Sequence, residues 1–223
     1  MVQKVTKDRI SGFTFCVSLF LFIITFSIGL PIYFRPFYFW HIAPLNLESS
    51  GFTVQQIKTA YNSVLNYLTL PGYEFSVGDM KYTADGAAHF ADCKALFSLN
   101  AWVLIISAVI LAVLFLLRKK GKISGFYIGK APATLCASGT AAGIVAVLAA
   151  VVTVDFNSAF RAFHKVFFAG KDNWIFNERK DQIINVLPKE FFANCAILIC
   201  CSIVLFFVAF FVVYIIKRRK GRA

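Results

Sequence analysis

Four stretches of the chain, residues 10–34, 95–117, 131–154 and 191–216, contain no Asp, Glu, Lys or Arg. A hydrocarbon layer about 30 Å thick is crossed by roughly 20 apolar residues at a rise of about 1.5 Å each. All four runs are long enough to cross with some tilt, so the pattern predicts four transmembrane helices. Lys4, Lys7 and Arg9 precede the first run as they would in a secretion signal. That run outlasts a usual signal core and no small-x-small cleavage site follows, so it reads as an anchor.

The connections are unequal. Residues 118–130 form a short link, whereas 35–94 and 155–190 far exceed ordinary helix connections. From Thr53 to Leu70 the residues Val54, Ile57, Tyr61, Val64, Leu65 and Leu68 recur at helical spacing, with Ser49, Ser50 and Thr53 placed to cap. Pro71-Gly72 ends that helix, and 73–77 and 80–83 have strand length on either side of Gly78-Asp79, which predicts a small hairpin. Residues 158–169 form a second amphipathic stretch, with Phe160, His164, Phe167 and Phe168 on one face and Arg161 and Lys165 elsewhere. Such a stretch suits the membrane interface, as does the aromatic elbow from Arg35 to His41. In the third run, Gly139-Thr140-Ala141-Ala142-Gly143 lets helix backbones approach closely, which predicts that this helix is central. The expected fold is an all-α membrane protein forming one domain over 1–223. It is a four-transmembrane-helix bundle with a small extracytoplasmic cap of amphipathic helices and a short β-hairpin.

Composition agrees: 59% of the 223 residues are hydrophobic and 26 are Phe, which places the chain among membrane proteins rather than soluble domains. Charge supplies the orientation. Lys4, Lys7, Arg9, Arg118, Lys119, Lys120, Lys122, Lys130, Lys217, Arg218, Arg219, Lys220 and Arg222 flank one set of helix ends, offset only by Asp8, and account for the whole net charge of +12. By the positive-inside rule these segments are cytoplasmic, so both termini are cytoplasmic and 35–94 and 155–190 face outward. Basic clusters beside helix ends are drawn to anionic headgroups, so the basic pI implies membrane lipid rather than nucleic acid. Cys16, Cys136, Cys200 and Cys201 lie within the apolar runs, while Cys93 and Cys195 lie near the outer side, where a disulfide between them is open.

Candidate chemistry is confined to the outward segments, which hold His41, His89 and His164. No His-x-x-x-His pair, His-Glu-x-x-His pair or Gly-x-Ser-x-Gly elbow occurs. Gly125-Phe126-Tyr127-Ile128-Gly129-Lys130-Ala131 is one residue short of a phosphate loop and lacks its closing Ser or Thr. Asp92 follows His89 by three residues, on the same helical face, where a carboxylate would orient the imidazole. His164 sits on the aromatic side of its stretch, where burial requires a partner. Each histidine also fits an interfacial polar residue, and Asp92 fits a favourable acid at a helix N-terminus.

The pattern Phe160-x-x-Phe163-His164-x-x-Phe167-Phe168, then Asp172-Asn173-Trp174, Asp181 and Leu187-Pro188-x-x-Phe191-Phe192, resembles the bacterial lipoprotein intramolecular transacylase (Lit) family. The segment His89-Phe90-Ala91-Asp92-Cys93-Lys94 is similar to that family's His-Met-x-Asp-Val-Lys. One departure is Gly86, with Asp85 before it, where the family pattern has Glu three residues ahead of the first histidine. The resemblance implies a multi-pass enzyme of the bacterial cytoplasmic membrane. Such an enzyme moves an acyl chain from the glyceryl moiety of a diacylglyceryl-modified lipoprotein to its N-terminal cysteine amine, giving the lyso-form. It implies His89 and His164 as the catalytic pair, without cofactor or metal, supported by Asp92, Asp172, Trp174 and Asp181. Two other readings stay open on the residues alone: a non-catalytic scaffold or receptor with outward binding loops, and a haem or metal binder using His41 with another histidine.

Overall fold

The computed structural model describes the backbone of residues 2–221 and the side chains of 8–150 and 154–221. The side chains of Lys4, Lys7 and Arg222, which entered the charge argument, lie outside the described residues. The helices are α1 (Val2–Tyr33), α2 (Pro36–Phe39), α3 (Val54–Thr69), α4 (Ala84–Lys119), α5 (Ala133–Val154), α6 (Phe156–Phe167) and α7 (Lys189–Arg219). Within α1, α4, α5 and α7 are spans long and apolar enough to cross a membrane. With 36 residues, α4 is about 54 Å long, well beyond a hydrocarbon layer of about 30 Å. Its charge-free part, 95–117, suffices to cross, and 84–94, with Asp85, Asp92 and Lys94, extends beyond it.

The chain forms two compact units. The first comprises Met1–Gly29, Ala101–Ala150 and Leu198–Ala223, and the second Leu30–Asn100 and Val151–Ile197. In the first unit, Phe15, Leu19 and Ile23 of α1 pack with Leu111 and Leu114 of α4, Ile203 of α7 and the stripe Ala133, Ala137, Ala141 and Val145 of α5. That stripe recurs every four residues, and three of its four members are alanines, which is how α5 comes close to its neighbours. The expected centrality of α5 is corrected here. The span in α1 is 50% buried against 28% for that in α5, Gly143 faces open space, and Gly139 meets only the Phe207 ring at 3.7 Å. Ser27 and Ser202 satisfy each other by a 3.0 Å hydrogen bond in an otherwise apolar interior.

The strands are not where the turn signals predicted them. Residues 73–83 form no strand. Donors and acceptors of this segment are taken from elsewhere: Lys81 N–H donates to Gln182 Oε1 at 2.7 Å, Gln182 N–H to the Lys81 carbonyl at 3.0 Å, and Thr83 N–H to Asp181 Oδ1 at 2.7 Å. The two-stranded antiparallel sheet instead joins Tyr127–Ile128 (β1) to Ala131–Pro132 (β2). Gly129, at φ +59°, turns the chain between them, a conformation that favours glycine. This hairpin rides directly on α1, since a Cβ on Gly12 would collide with the Tyr127 carbonyl.

The second unit holds residues 35–94 and 155–190. Thr53 alone of the three proposed caps begins α3, through a capping box in which its hydroxyl accepts from Gln56 N–H and Gln56 Oε1 accepts from Thr53 N–H. Ile57, Tyr61, Val64, Leu65 and Leu68 of α3 are buried as the periodicity predicted. Tyr38 of α2 stacks on Tyr61 with centroids 3.8 Å apart and donates its hydroxyl to the Val186 carbonyl at 2.7 Å. Arg35 bridges from α2 to Asn62 and Asn66 on α3.

Two glycine substitutions separate close approach from mere helix composition. Gly12→Ala should lower the stability of the purified protein by roughly 1–3 kcal/mol, because the hairpin must move. Gly143→Ala, in open space, should change it by less than about 1 kcal/mol. Thermal unfolding in detergent micelles measures both, and equal effects would refute the hairpin contact.

Candidate active site

His89 and His164 lie in the second unit and meet there. Helix α4 brings His89 from its first turns, and Asp155, whose side chain accepts from Ser158 N–H, starts α6 so that His164 turns inward. The two rings are 5.7 Å apart at an interplanar angle of 28°. His89 is 5% exposed and His164 8%. Phe168 lies 4.7 Å from the His89 ring and Phe176 5.3 Å, while Phe160 lies 4.4 Å from the His164 ring and Trp174 5.0 Å. Phe168 is buried just past the end of α6, whereas Phe167, expected on the same face, is half exposed.

An aromatic enclosure withholds solvation from a charged ring and so favours neutral imidazole. Burial, reinforced by His164 nearby, lowers the pKa of His89 to about 4 against the opposing pull of Asp92. Burial likewise lowers His164, partly opposed by its bond to the Phe160 carbonyl. Both rings are therefore neutral at pH 7, each with one N–H donor and one lone pair.

The bond of His164 fixes which of its nitrogens is which. His164 Nδ1 lies 2.8 Å from the Phe160 carbonyl, one helical turn back. A carbonyl only accepts, so Nδ1 carries the proton and Nε2 the lone pair. His89 Nε2 lies 3.4 Å from Cys93 Sγ, one turn ahead on α4. Burial pushes the Cys93 thiol up to about 12, so it stays S–H. With the thiol donating, Nε2 is the acceptor and the proton of His89 sits on Nδ1. His89 Nδ1 is buried without a hydrogen-bond partner.

Asp92 does not hold His89, contrary to the expectation from their spacing. Its Oδ1 pairs with Lys171 Nζ at 2.6 Å and its Oδ2 accepts from Asn173 Nδ2 at 3.0 Å. These bonds hold the Asp92 carboxyl below its usual range, and the carboxylate acts on His89 only through space. Sharing a helical face does not ensure contact when a stronger, charge-assisted partner comes from elsewhere in the chain. Through this latch Asp92 secures the loop that carries Trp174, whose Nε1–H donates to the Lys171 carbonyl at 2.9 Å while its ring packs on His164. Asp172 is exposed and joins the loop through its carbonyl, which accepts from Ile175 N–H. Asp181, 4% exposed, accepts from both the N–H and the hydroxyl of Thr83 at the start of α4. A Cβ on Gly86 would collide with this carboxylate, so the glycine noted in the sequence leaves room for an acid supplied from another segment.

His41 stands in a different cluster, bonded to the Phe37 carbonyl and packed on Phe37 and Phe191. Cys93 and Cys195 are free thiols, with Cys93 on His89 instead. Among the described residues no group of three or more His, Cys, Asp and Glu is placed to hold a metal ion. Cys93, Lys171, Asn173 and Phe176 were missed as site residues. Cys93, four residues from His89 on one helix, was the one that spacing could have found.

Residues 13–192 match the model of the family described as lipoprotein intramolecular transacylase Lit. The chain belongs to the Lit family. Among solved structures it is similar to the membrane-integral lipoprotein intramolecular transacylase Lit from Bacillus cereus, at 24% identity and a TM-score of 0.85 over 97% of this chain and 98% of that one. Two variants of that protein, with one histidine replaced by arginine or by alanine, match at 24% identity and TM-scores of 0.79 over 99% of this chain and 96% and 98% of theirs. No curated protein sequence matches. Lit enzymes are lipoprotein intramolecular transacylases, so this chain is a membrane enzyme acting on lipoproteins, and the scaffold reading falls away.

The nitrogen assignments can be observed directly. In protein labelled with 15N-histidine, NMR at pH 7 should show His164 protonated at Nδ1 alone, and both site rings should titrate with midpoints below 6.5. A His164 signal protonated at Nε2 would refute the assignment.

Proposed function

We propose that this enzyme moves an acyl chain from the glyceryl group of a diacylglyceryl-modified lipoprotein to the α-amine of the same N-terminal cysteine. His164 acts as general base and His89 as oxyanion donor. The observation that carries the reading is the pair of facing, buried imidazoles, one with a free lone pair and the other with a buried, unpartnered nitrogen.

An α-amine has a pKa of about 7.7–8.0 and attacks only when neutral. As its nitrogen bonds to the ester carbon, His164 Nε2 takes one amine proton and His89 Nδ1–H donates to the carbonyl oxygen as it becomes negative. The C–O bond to glycerol then breaks, and the imidazolium of His164 returns the proton to the glyceryl oxygen. One ester becomes one amide, and no other reactant enters. Nucleophile and ester belong to one molecule, so holding them in attack geometry supplies up to roughly 7–11 kcal/mol in well-oriented cases.

Asp92, Asp172, Trp174 and Asp181 are positioning residues in this scheme. They fix the 171–174 loop and the start of α4, not the reacting atoms. The thirteen basic residues beside one set of helix ends support four crossings of the bacterial cytoplasmic membrane, both termini in the cytoplasm and residues 35–94 and 155–190 outside. Diacylglyceryl lipoproteins and membrane lipids are then its partners.

A diacylated lipopeptide incubated with the purified enzyme should keep its mass, and fragmentation should place one acyl chain on the amine. His89→Ala and His164→Ala should lower kcat/KM by about a hundredfold or more while inserting normally. Product without acyl on nitrogen would sink the reading.

The pH profile tests the protonation states. Below pH 7, amine protonation alone gives log kcat/KM a slope of about one per pH unit. An imidazole base with an ordinary pKa would add a second unit of slope below about 6.5. Because burial lowers both rings, the neutral base persists and the slope should stay near one as pH falls through 6.5. A slope of two beginning at pH 6.5 would show that the base is an ordinary, hydrated histidine.

A further inference from the structure

Only two buried side-chain atoms among the described residues lack a hydrogen-bond partner, His89 Nδ1 and Asn173 Oδ1. The first is used by the reaction above and the second is not. The orientation of the Asn173 amide is not arbitrary. Its nitrogen faces Asp92 Oδ2 at 3.0 Å, and a carboxylate held ionised by Lys171 can only accept, so the NH2 end must point there. Oδ1 is thereby turned away from Asp92, without a donor. The next residue, Trp174, packs on His164, and Asp92, which Asn173 bonds, follows His89 by one helical turn, so Asn173 is tied to the segments that carry both histidines.

A buried carbonyl oxygen without a donor is unfavourable, and such atoms are rare in folded chains. We propose that Asn173 Oδ1 accepts a hydrogen bond from the N-terminal amine of the lipoprotein, which makes Asn173 a binding residue for the acyl acceptor. The inference rests on the acyl-transfer reading above. A neutral primary amine carries two N–H groups and one lone pair. One proton leaves to His164 Nε2 as the C–N bond forms, and the other remains as the amide N–H of the product. Asn173 holds the one that remains. With one N–H on His164 and the other on Asn173, the lone pair has a single direction left, toward the ester carbon.

The test uses two lipopeptides, the diacylated parent and the same molecule with one methyl group on the cysteine amine. The methylated amine has one N–H, which the base must take, and none for Asn173. Wild-type enzyme should acylate the methylated peptide roughly tenfold more slowly or worse. Asn173→Ala should act on the parent peptide with a similar loss and show little further loss on the methylated one. A purely structural role for Asn173 would slow both peptides equally and leave the discrimination intact, which would overturn the proposal. The exchange D92N/N173D keeps both a donor–acceptor pair and an acceptor oxygen, so it should retain the discrimination, and its loss in the folded exchange variant would count against the idea. Wild-type discrimination below about twofold would overturn the proposal without any variant, should Asn173→Ala fail to fold. Failure of the wild type to form any N-acyl product would instead sink the acyl-transfer reading, and this inference with it.

Discussion

The site depends on one constraint: two imidazoles are shut into an aromatic enclosure where neither can easily be charged. Phe160, Phe168, Phe176 and Trp174 replace the water that would stabilise an imidazolium. Neutral rings have a polarity that charged rings lack, because each must choose which nitrogen holds its proton. The backbone makes that choice for His164 through the Phe160 carbonyl, a partner that no rearrangement of side chains can remove. For His89 the partner is a thiol on its own helix, a group that both donates and accepts. Both anchors are local, one turn away, and His164 arrives at the site with its tautomer already set by the helix that carries it.

What is not local is the polar frame around the rings, and it is built from two carboxylates with different tasks. Asp181 brings a negative charge to the N-terminal end of α4, where the helix dipole and unpaired N–H groups favour it. It fits only because residue 86 has no side chain. Asp92 faces the other way and grips the 171–174 segment through two charge-assisted bonds. The salt bridge itself is partly exposed, with Lys171 at 51% and Asp92 at 24%, so its energy alone is small. Its effect lies in geometry: it settles which end of the Asn173 amide is left without a donor and where Trp174 rests on His164.

These two kinds of contact differ in how far the sequence discloses them. The four apolar runs and the amphipathic α3 and α6 were legible because burial leaves a periodic mark on the chain. The two histidines were legible through the motifs surrounding them, and His164 also through its place on an aromatic face. The partner of Asp92 was not, since i, i+3 spacing reports a shared face and says nothing of a lysine 79 residues further along. The expected hairpin at 73–83 failed for a similar reason: strand-length segments beside turn residues were present, but Asp181 and Gln182 compete for their backbone groups. In α5 the Gly139–Gly143 pair looked like the packing face, whereas the alanines at 133, 137 and 141 are the buried ones. Small residues on several faces of a helix leave its phase undetermined until its neighbours are known.

The same burial leaves Cys93, a thiol beside a histidine, poorly suited to act as a nucleophile. A cysteine attacks as thiolate, and thiolates need a positive or polar surrounding that lowers their pKa. Here burial, with the adjacent carboxylate of Asp92 adding to it, pushes the thiol up to about 12. The histidine beside it is itself held neutral at a pKa of about 4, too weak a base to take that proton. A site with a lone pair on His164, an unpartnered nitrogen on His89 and no activated thiol suits a substrate that brings both the ester and the amine to attack it.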